Sequence, residues 1–319
     1  MKGRCDSFVV ETHVHYPTDI NLFWDAIRKV ITLSARLSEE HGQTHWRQSQ
    51  YNLKQIKKGY RKAQKIKHST SKDETKRSAQ QEAIKQAHKD YLQHAQELLT
   101  KAKHTLTSIE IKSSIDWLKI LEIERYISHA QRQIEQINRR VINEEKIPHH
   151  EKVFSLFQEH TEWISKGKAG VPVELGLKTC VLEDQYGFIL HHQVMQQQTD
   201  NQIAIDMVAQ TCKRFPAMKS CSFDKGFHSP ANQEGLKAQL ELVVLPKKGR
   251  RNEKEKAREH GAAFQAARRQ HSAVESAINA LEVHGLDICP LAVVARNMQK
   301  LGAELRKLEK PDRQRKHAA

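Results

Sequence analysis

The 319-residue chain carries 53 Lys and Arg against 38 Asp and Glu, a net charge of +15, and 38% of its residues are apolar at a mean hydropathy of −0.72. That is enough apolar material for a folded core in about two domains, so wholesale disorder is excluded. No apolar run nears the roughly 18 residues of a membrane span, the start Met-Lys-Gly-Arg-Cys-Asp lacks a secretory core, and the five cysteines form no C-x-x-C pair. No membrane partner, zinc ribbon or disulfide framework is therefore expected, and a reducing cytoplasmic setting fits best. The charge excess points to a polyanion such as nucleic acid, beside the plainer reading of a soluble basic surface.

In chain order, residues 5–12 read as a β-strand. After Tyr16-Pro17, Thr18 or Asp19 can cap a helix whose inner face is Ile20, Phe23, Ile27 and Val30. From Pro17 to Pro148 no proline intervenes and glycine occurs only at positions 42 and 59, so nothing forces the backbone out of a helix. The second half of this block carries a heptad stripe, Leu92, Ala95, Leu99, Ala102, Leu106 and Ile109, resumed by Ile120, Ile123, Ile127, Ala130, Ile134, Ile137 and Val141. Ser113 and Asp116 interrupt it. Both favour caps over helix interiors, which predicts a break between antiparallel helices. Such a stripe can pair two copies of the chain or pack within one.

Further strands are expected at 172–182, 187–196, 219–223 and 240–245, the first two joined by an Asp-Gln-Tyr-Gly turn at 184–187. Helices should fill 201–213, restart at Ser229-Pro230 with a cap and an N1 proline, run over 257–284 to stop at Gly285, and finish at 291–308. The expected fold class is α/β: a mixed five-stranded sheet flanked by helices, with a long all-helical, coiled-coil-like insertion between its first two strands. Residues 1–19 would supply the first strand, 20–165 the insertion and 166–319 the remainder of the core.

Three carboxylates stand where such a core can gather them: Asp6 on the first strand, Asp224 at the end of the fourth, and Glu275 on the long helix after the fifth. On that helix Val274, Ile278 and Leu281 form the apolar stripe, and His271, Glu275, Asn279 and Glu282 the adjacent polar strip. Clustered carboxylates repel unless cations neutralise them, and hard oxygen donors select Mg²⁺ or Mn²⁺ over zinc. Two such ions suit in-line phosphodiester displacement. Each carboxylate also has a plain reading: a solvated strip for Glu275, a turn at Asp224-Lys-Gly for the second, and an ordinary strand residue for Asp6.

The runs Asp6-Ser-Phe-Val-Val-Glu-Thr-His-Val-His-Tyr-Pro-Thr-Asp19, Phe223-Asp-Lys-Gly-Phe-His-Ser-Pro-Ala-Asn232 and His271-Ser-Ala-Val-Glu-Ser-Ala-Ile-Asn279, with Leu281-Glu-Val-His-Gly-Leu286, carry a resemblance. In these runs and their order the chain resembles bacterial insertion-sequence transposases of the ISNCY group within the DDE superfamily. Glu162-Trp-Ile-Ser-Lys-Gly-Lys168 and Val244-Leu-Pro-Lys-Lys-Gly-Arg250 extend the likeness over most of its length. The resemblance implies an RNase H-like fold and a triad of Asp6, Asp224 and Glu275 binding two Mg²⁺ (or Mn²⁺) ions. It implies hydrolysis of the strand at transposon ends, then attack of the freed 3′-hydroxyl on target DNA. The relatives' Tyr-x₂-Arg-x₃-Glu-x₆-Lys signature is met here by Arg268, His271, Glu275 and Glu282, so only the glutamate is kept. Complete relatives carry a DNA-end-binding region before the first catalytic strand, which implies an N-terminally shortened copy. The junction Asp287-Ile-Cys-Pro-Leu-Ala is shorter than in relatives, which implies an internal deletion.

Two basic runs are candidate DNA contacts. Residues 54–67 hold Lys54, Lys57, Lys58, Arg61, Lys62, Lys65 and Lys67 with no acid among them, either a phosphate-tracking helix or a solvated face. Lys247, Lys248, Arg250 and Arg251 leave the fifth strand on the side expected to face the triad and are the better phosphate clamp, joined by Arg268 and His271. His13 and His15 lack the further ligands of a zinc site and read as structural. Trp24, Trp46, Trp117 and Trp163 read as core or interface residues. Expected partners are DNA, both transposon ends and target, and a second copy or a full-length transposase. The competing readings are a non-catalytic DNA-binding or helical interaction remnant and a coiled-coil scaffold with incidental carboxylates.

Overall fold

The computed structural model describes residues 1–166, 172–283 and 290–316. They form two compact units, one of residues 1–12 and 160–319, the other of residues 13–159. The Leu281–Leu286 run beyond Val283, Lys168, Gly285 and the 287–289 part of the short junction lie outside the described residues.

The helical unit is built from α1 (Asp19–Glu40), α2 (Ser49–Lys65), α3 (Glu74–Ser108) and α4 (Ser114–Ile137). Thr18 caps α1, its side chain accepting from the Asn21 N–H, whereas Asp19 is drawn to Arg140 at 2.6 Å. Helix α1 packs against α2, α3 and α4, with Phe23, Ile27, Val30 and Ile31 fully buried. The expected break between α3 and α4 is present, and Ser113 and Asp116 make it: each side chain accepts from the other's backbone N–H, closing a capping box. The heptad stripe on both sides of that break, Leu92, Ala95, Leu99 and Ala102 with Ile120, Ile123, Ile127 and Ala130, is buried in this unit's own core. Its periodicity therefore serves intrachain packing. Trp46 is buried with its indole N–H donating to Thr105 at 2.9 Å, and Trp24 stacks on Tyr60. Trp117, by contrast, is half exposed. His15 lies 2.5 Å from Asp25, a structural pairing.

The other unit holds a mixed six-stranded sheet. Its strands are β1 (Lys2–Glu11), β2 (Glu162–Ser165), β3 (Val173–Asp184), β4 (Ile189–Met195), β5 (Ser220–Phe223) and β6 (Leu242–Val244). The order is β2-β3-β1-β5-β6, with β4 also on β3; β1 is antiparallel to β3 and parallel to β5, which is parallel to β6. Five strands were expected; the sixth, β2, is a four-residue strand paired to the start of β3 and too short to show alternation. Gly176 on β3 is required by close approach, since a Cβ there would lie 2.0 Å from the Val10 carbonyl oxygen. The β3–β4 turn closes with Gly187 at φ +84°, its N–H donating to the Asp184 carbonyl.

Helices α5 (Asp200–Arg214), α6 (Pro230–Lys237), α7 (Glu253–His260), α8 (Ala262–His271), α9 (Val274–Val283) and α10 (Pro290–Lys316) complete the unit. One sheet face, with Cys5, Cys180, Leu182 and Phe223, packs on Ile203, Met207 and Val208 of α5 and Leu236 of α6. The other, with Phe8, Val181 and Ile189, packs on Val274, Ile278 and Leu281 of α9 and Ala292 of α10. The single helix expected over 257–284 is instead three. Gly261 adopts an extended conformation between α7 and α8, and Ser272-Ala273 separate α8 from α9. His271 and Glu275 consequently sit on different helices and share no helical strip. Among the described residues no helix is long and apolar enough to cross a membrane.

Candidate carboxylate site

Strand register brings the two aspartates together. Cys5 pairs with Phe223 in the parallel β1–β5 ladder, so Asp6 and Asp224 are the next residues on neighbouring strands, which run about 4.8 Å apart. Strand β5 ends at Phe223 while β1 continues to Glu11, leaving Asp224 exposed at the mouth and Asp6 half-buried behind it. Alternation along β1 puts Asp6 on the same face as Phe8, the face covered by α9. Glu275 lies exposed in the first turn of α9.

The electrostatics record this convergence. Burial first, and then the nearby negative charges of Asp224, Asp200 and Glu275, push the Asp6 carboxyl up to about 6 against the opposing hydrogen bond from the Ser7 N–H. That N–H donates to Asp6 Oδ1 at 2.7 Å. His271 closes the α8 side, its Nδ1 3.0 Å from Ser222 Oγ and its Nε2 buried with no hydrogen-bond partner among the described residues. Burial holds the His271 imidazole below its ordinary pKa; Asp224 and Glu275 pull it upward and Arg4 pushes it down. The Ser222 hydroxyl also lies 3.5 Å from the Gly3 carbonyl, to which it donates, so it links His271 to the β1 backbone.

Compared against protein-family models, curated proteins and solved structures, the chain matches none of them.

The donors of the site are all carboxylate oxygens, the chemistry that suits Mg²⁺ or Mn²⁺. Their spacing does not suit one: among the described residues no three His, Cys, Asp or Glu side chains come close enough to hold a metal ion. Asp6, Asp224 and Glu275 thus share an electrostatic field without forming a ligating cluster.

Sequence reasoning missed an acidic neighbour on the opposite face of β1. Asp200, in the first turn of α5, accepts from Ser7 Oγ and from Lys178 Nζ, both at 2.7 Å, and its side chain crowds Gly226, where a Cβ would come 2.7 Å from Asp200 Oδ2. An acid in the first helical turn after a strand reads as a dipole partner, so only the pairing of β1 with β3, which sets Ser7 beside Cys180, reveals its second role.

The basic candidates divide. Val244 pairs with Ser222, so the segment after β6 leaves the sheet at the end where Asp6 and Asp224 lie. Of its four cations, Lys247 is bound to Glu255 at 2.7 Å and Arg251 to Glu259 at 3.1 Å. Lys248 and Arg250 are exposed and, among the described residues, form no ion pair. Arg268 is exposed on α8. In the helical unit Lys54, Lys57, Lys58, Arg61 and Lys62 are all exposed on α2, with Lys57 over the Trp24 ring and Lys62 3.3 Å from Asp90.

Proposed function

We propose that the sheet unit is the RNase H-like core of a DDE-type transposase that cleaves and joins DNA ends, with Asp6, Asp224 and Glu275 as its acidic triad. The observation that carries this reading is the β1–β5 register, which sets Asp6 beside Asp224 on the sheet face that α9 covers with Glu275. A central strand antiparallel on one side and parallel on the other, with helices on both faces, supports the same fold. In the proposed reaction water displaces the 3′ oxygen of a phosphodiester, freeing a 3′-hydroxyl that then attacks a target phosphodiester and exchanges one P–O bond for another. Lys248, Arg250 and Arg268 would hold the DNA backbone, with His271 beside them. The cations implied are Mg²⁺ or Mn²⁺, and the setting is the cytoplasm of a bacterium. The test is cleavage of cognate ends by the full chain in Mg²⁺ or Mn²⁺: activity lost in Asp224→Asn supports the reading, and activity unchanged by that substitution excludes this site.

One observation favours a second reading, a non-catalytic DNA-binding remnant: the carboxylates do not close into a ligating group. Salt-sensitive DNA binding without cleavage by the wild-type chain would put that reading first.

A further inference from the structure

Helix α10 has two unlike faces. One belongs to its own unit: Ala292 and Val293 pack with Val181, Ile189 and Ile278, and Asn297 clips the backbone of β4, accepting from the Ile189 N–H and donating to the Ile189 carbonyl, both at 2.9 Å. The other face is left exposed by the described residues. Val294, Met298, Leu301, Leu305 and Leu308 are 52%, 67%, 51%, 50% and 74% exposed, and their steps of four and three make one straight stripe with a 3.5-residue period. It runs about 21 Å along the helix at 1.5 Å per residue.

Small residues border this stripe. Ala295 and Gly302 occupy equivalent heptad positions beside it, seven residues apart, and a Cβ on Gly302 would meet nothing within 4 Å. Glycine at 302 is therefore not needed by the unit's own packing, although it weakens an exposed helix. A narrow apolar seam with a low shoulder is what a second helix needs to lie close alongside and interlock its side chains.

We propose that α10 is a self-association helix whose seam is covered by α10 of a second copy of this chain. The 3–4 repeat that a covering helix must present is the repeat α10 itself carries, so the seam is self-complementary across a two-fold axis. Five side chains of this size, exposed to this degree, offer on the order of 500 Å² per copy, about 1,000 Å² for the pair, at the lower limit of a specific interface. An interface of this size is a weak one. The heptad stripe of α3 and α4 is not a rival seam, being consumed in its own core. This inference stands apart from the carboxylate chemistry.

Sedimentation velocity of the full chain from about 1 to 200 μM tests it. The wild type should pass from monomer to dimer over this range, and added salt should favour the dimer, because salt screens the repulsion between two +15 chains and leaves the apolar seam intact. Leu301→Lys and Met298→Glu, both at exposed positions, should keep the wild-type circular dichroism and weaken association at least 100-fold. A wild type that stays monomeric at 200 μM, whether its seam is bare or covered by another segment of the same chain, overturns the proposal. So does a dimer that survives both substitutions.

Discussion

Replacing Asp6 by Asn removes a charge from a pocket that opposes it while keeping the oxygen that accepts from the Ser7 N–H. The folded Asp6 carboxyl titrates at about 6, against about 3.9 in an unfolded chain. A folded value raised above the unfolded one means that the folded state holds the proton more tightly. No penalty exists below about pH 4, where both states are protonated; it grows between about pH 4 and 6 and is complete above about 6. Two pKa units correspond to about 3 kcal/mol. Asp6→Asn should thus match the wild type in unfolding free energy at pH 4 and exceed it by about 2–3 kcal/mol at pH 7. The negative charges acting on Asp6 are Asp224, Asp200 and Glu275, all present in both proteins, so the difference isolates residue 6. Urea denaturation followed across pH 4–8 measures it, with the carboxyl ¹³C shift of Asp6 giving its midpoint directly. Parallel stability curves for the two proteins, or a midpoint near 4, would refute the claim that burial and acidic neighbours oppose the Asp6 charge.

Gly176→Ala places a Cβ against the Val10 carbonyl oxygen and should cost about 3 kcal/mol or more in thermal or urea unfolding, because backbone rather than a flexible side chain must yield. Ser113→Ala opens the capping box at the start of α4 and should cost about 1 kcal/mol, with Ser113→Asp restoring most of it. For DNA binding, substituting both Lys248 and Arg250 by Ala should lower the slope of log affinity against log salt by about 2, at roughly 0.9 per phosphate contact. Lys247→Ala should leave that slope unchanged, since Lys247 is held by Glu255; fluorescence anisotropy over a salt series separates the two cases.

Legibility followed the local physics. Caps and turns declared themselves: Thr18, Ser113 with Asp116, and Ser229-Pro230 each stand at the helix start they predict, because a cap is a contact within four residues. The heptad stripe was equally plain, but periodicity tells which side chains are buried and not what covers them; α1 does, as neighbour to both α3 and α4. The 257–284 stretch misled because helical spacing continues across Gly261 and Ser272-Ala273, where the chain reorients between α7, α8 and α9. The seam of α10 passed unread for the same reason as β2: nothing within either segment distinguishes an exposed apolar stripe from a buried one, or four strand residues from a loop. At the site, Asp6 and Asp224 could be picked out singly, but their adjacency is a property of the parallel register. The Lys178–Asp200–Ser7 tie spans 193 residues of chain and leaves no local trace.

The proposed function requires Asp6, Asp224 and Glu275 to draw in around a divalent cation from the open spacing they have here. Fe²⁺ with ascorbate generates radicals that cut the polypeptide beside a bound ion, so the cut sites map the ligands. Scission is expected near residues 6, 224 and 275, suppressed by excess Mg²⁺ and lost in Asp6→Asn. Scission confined to other parts of the chain, or cuts at these positions that persist in Asp6→Asn, would contradict it.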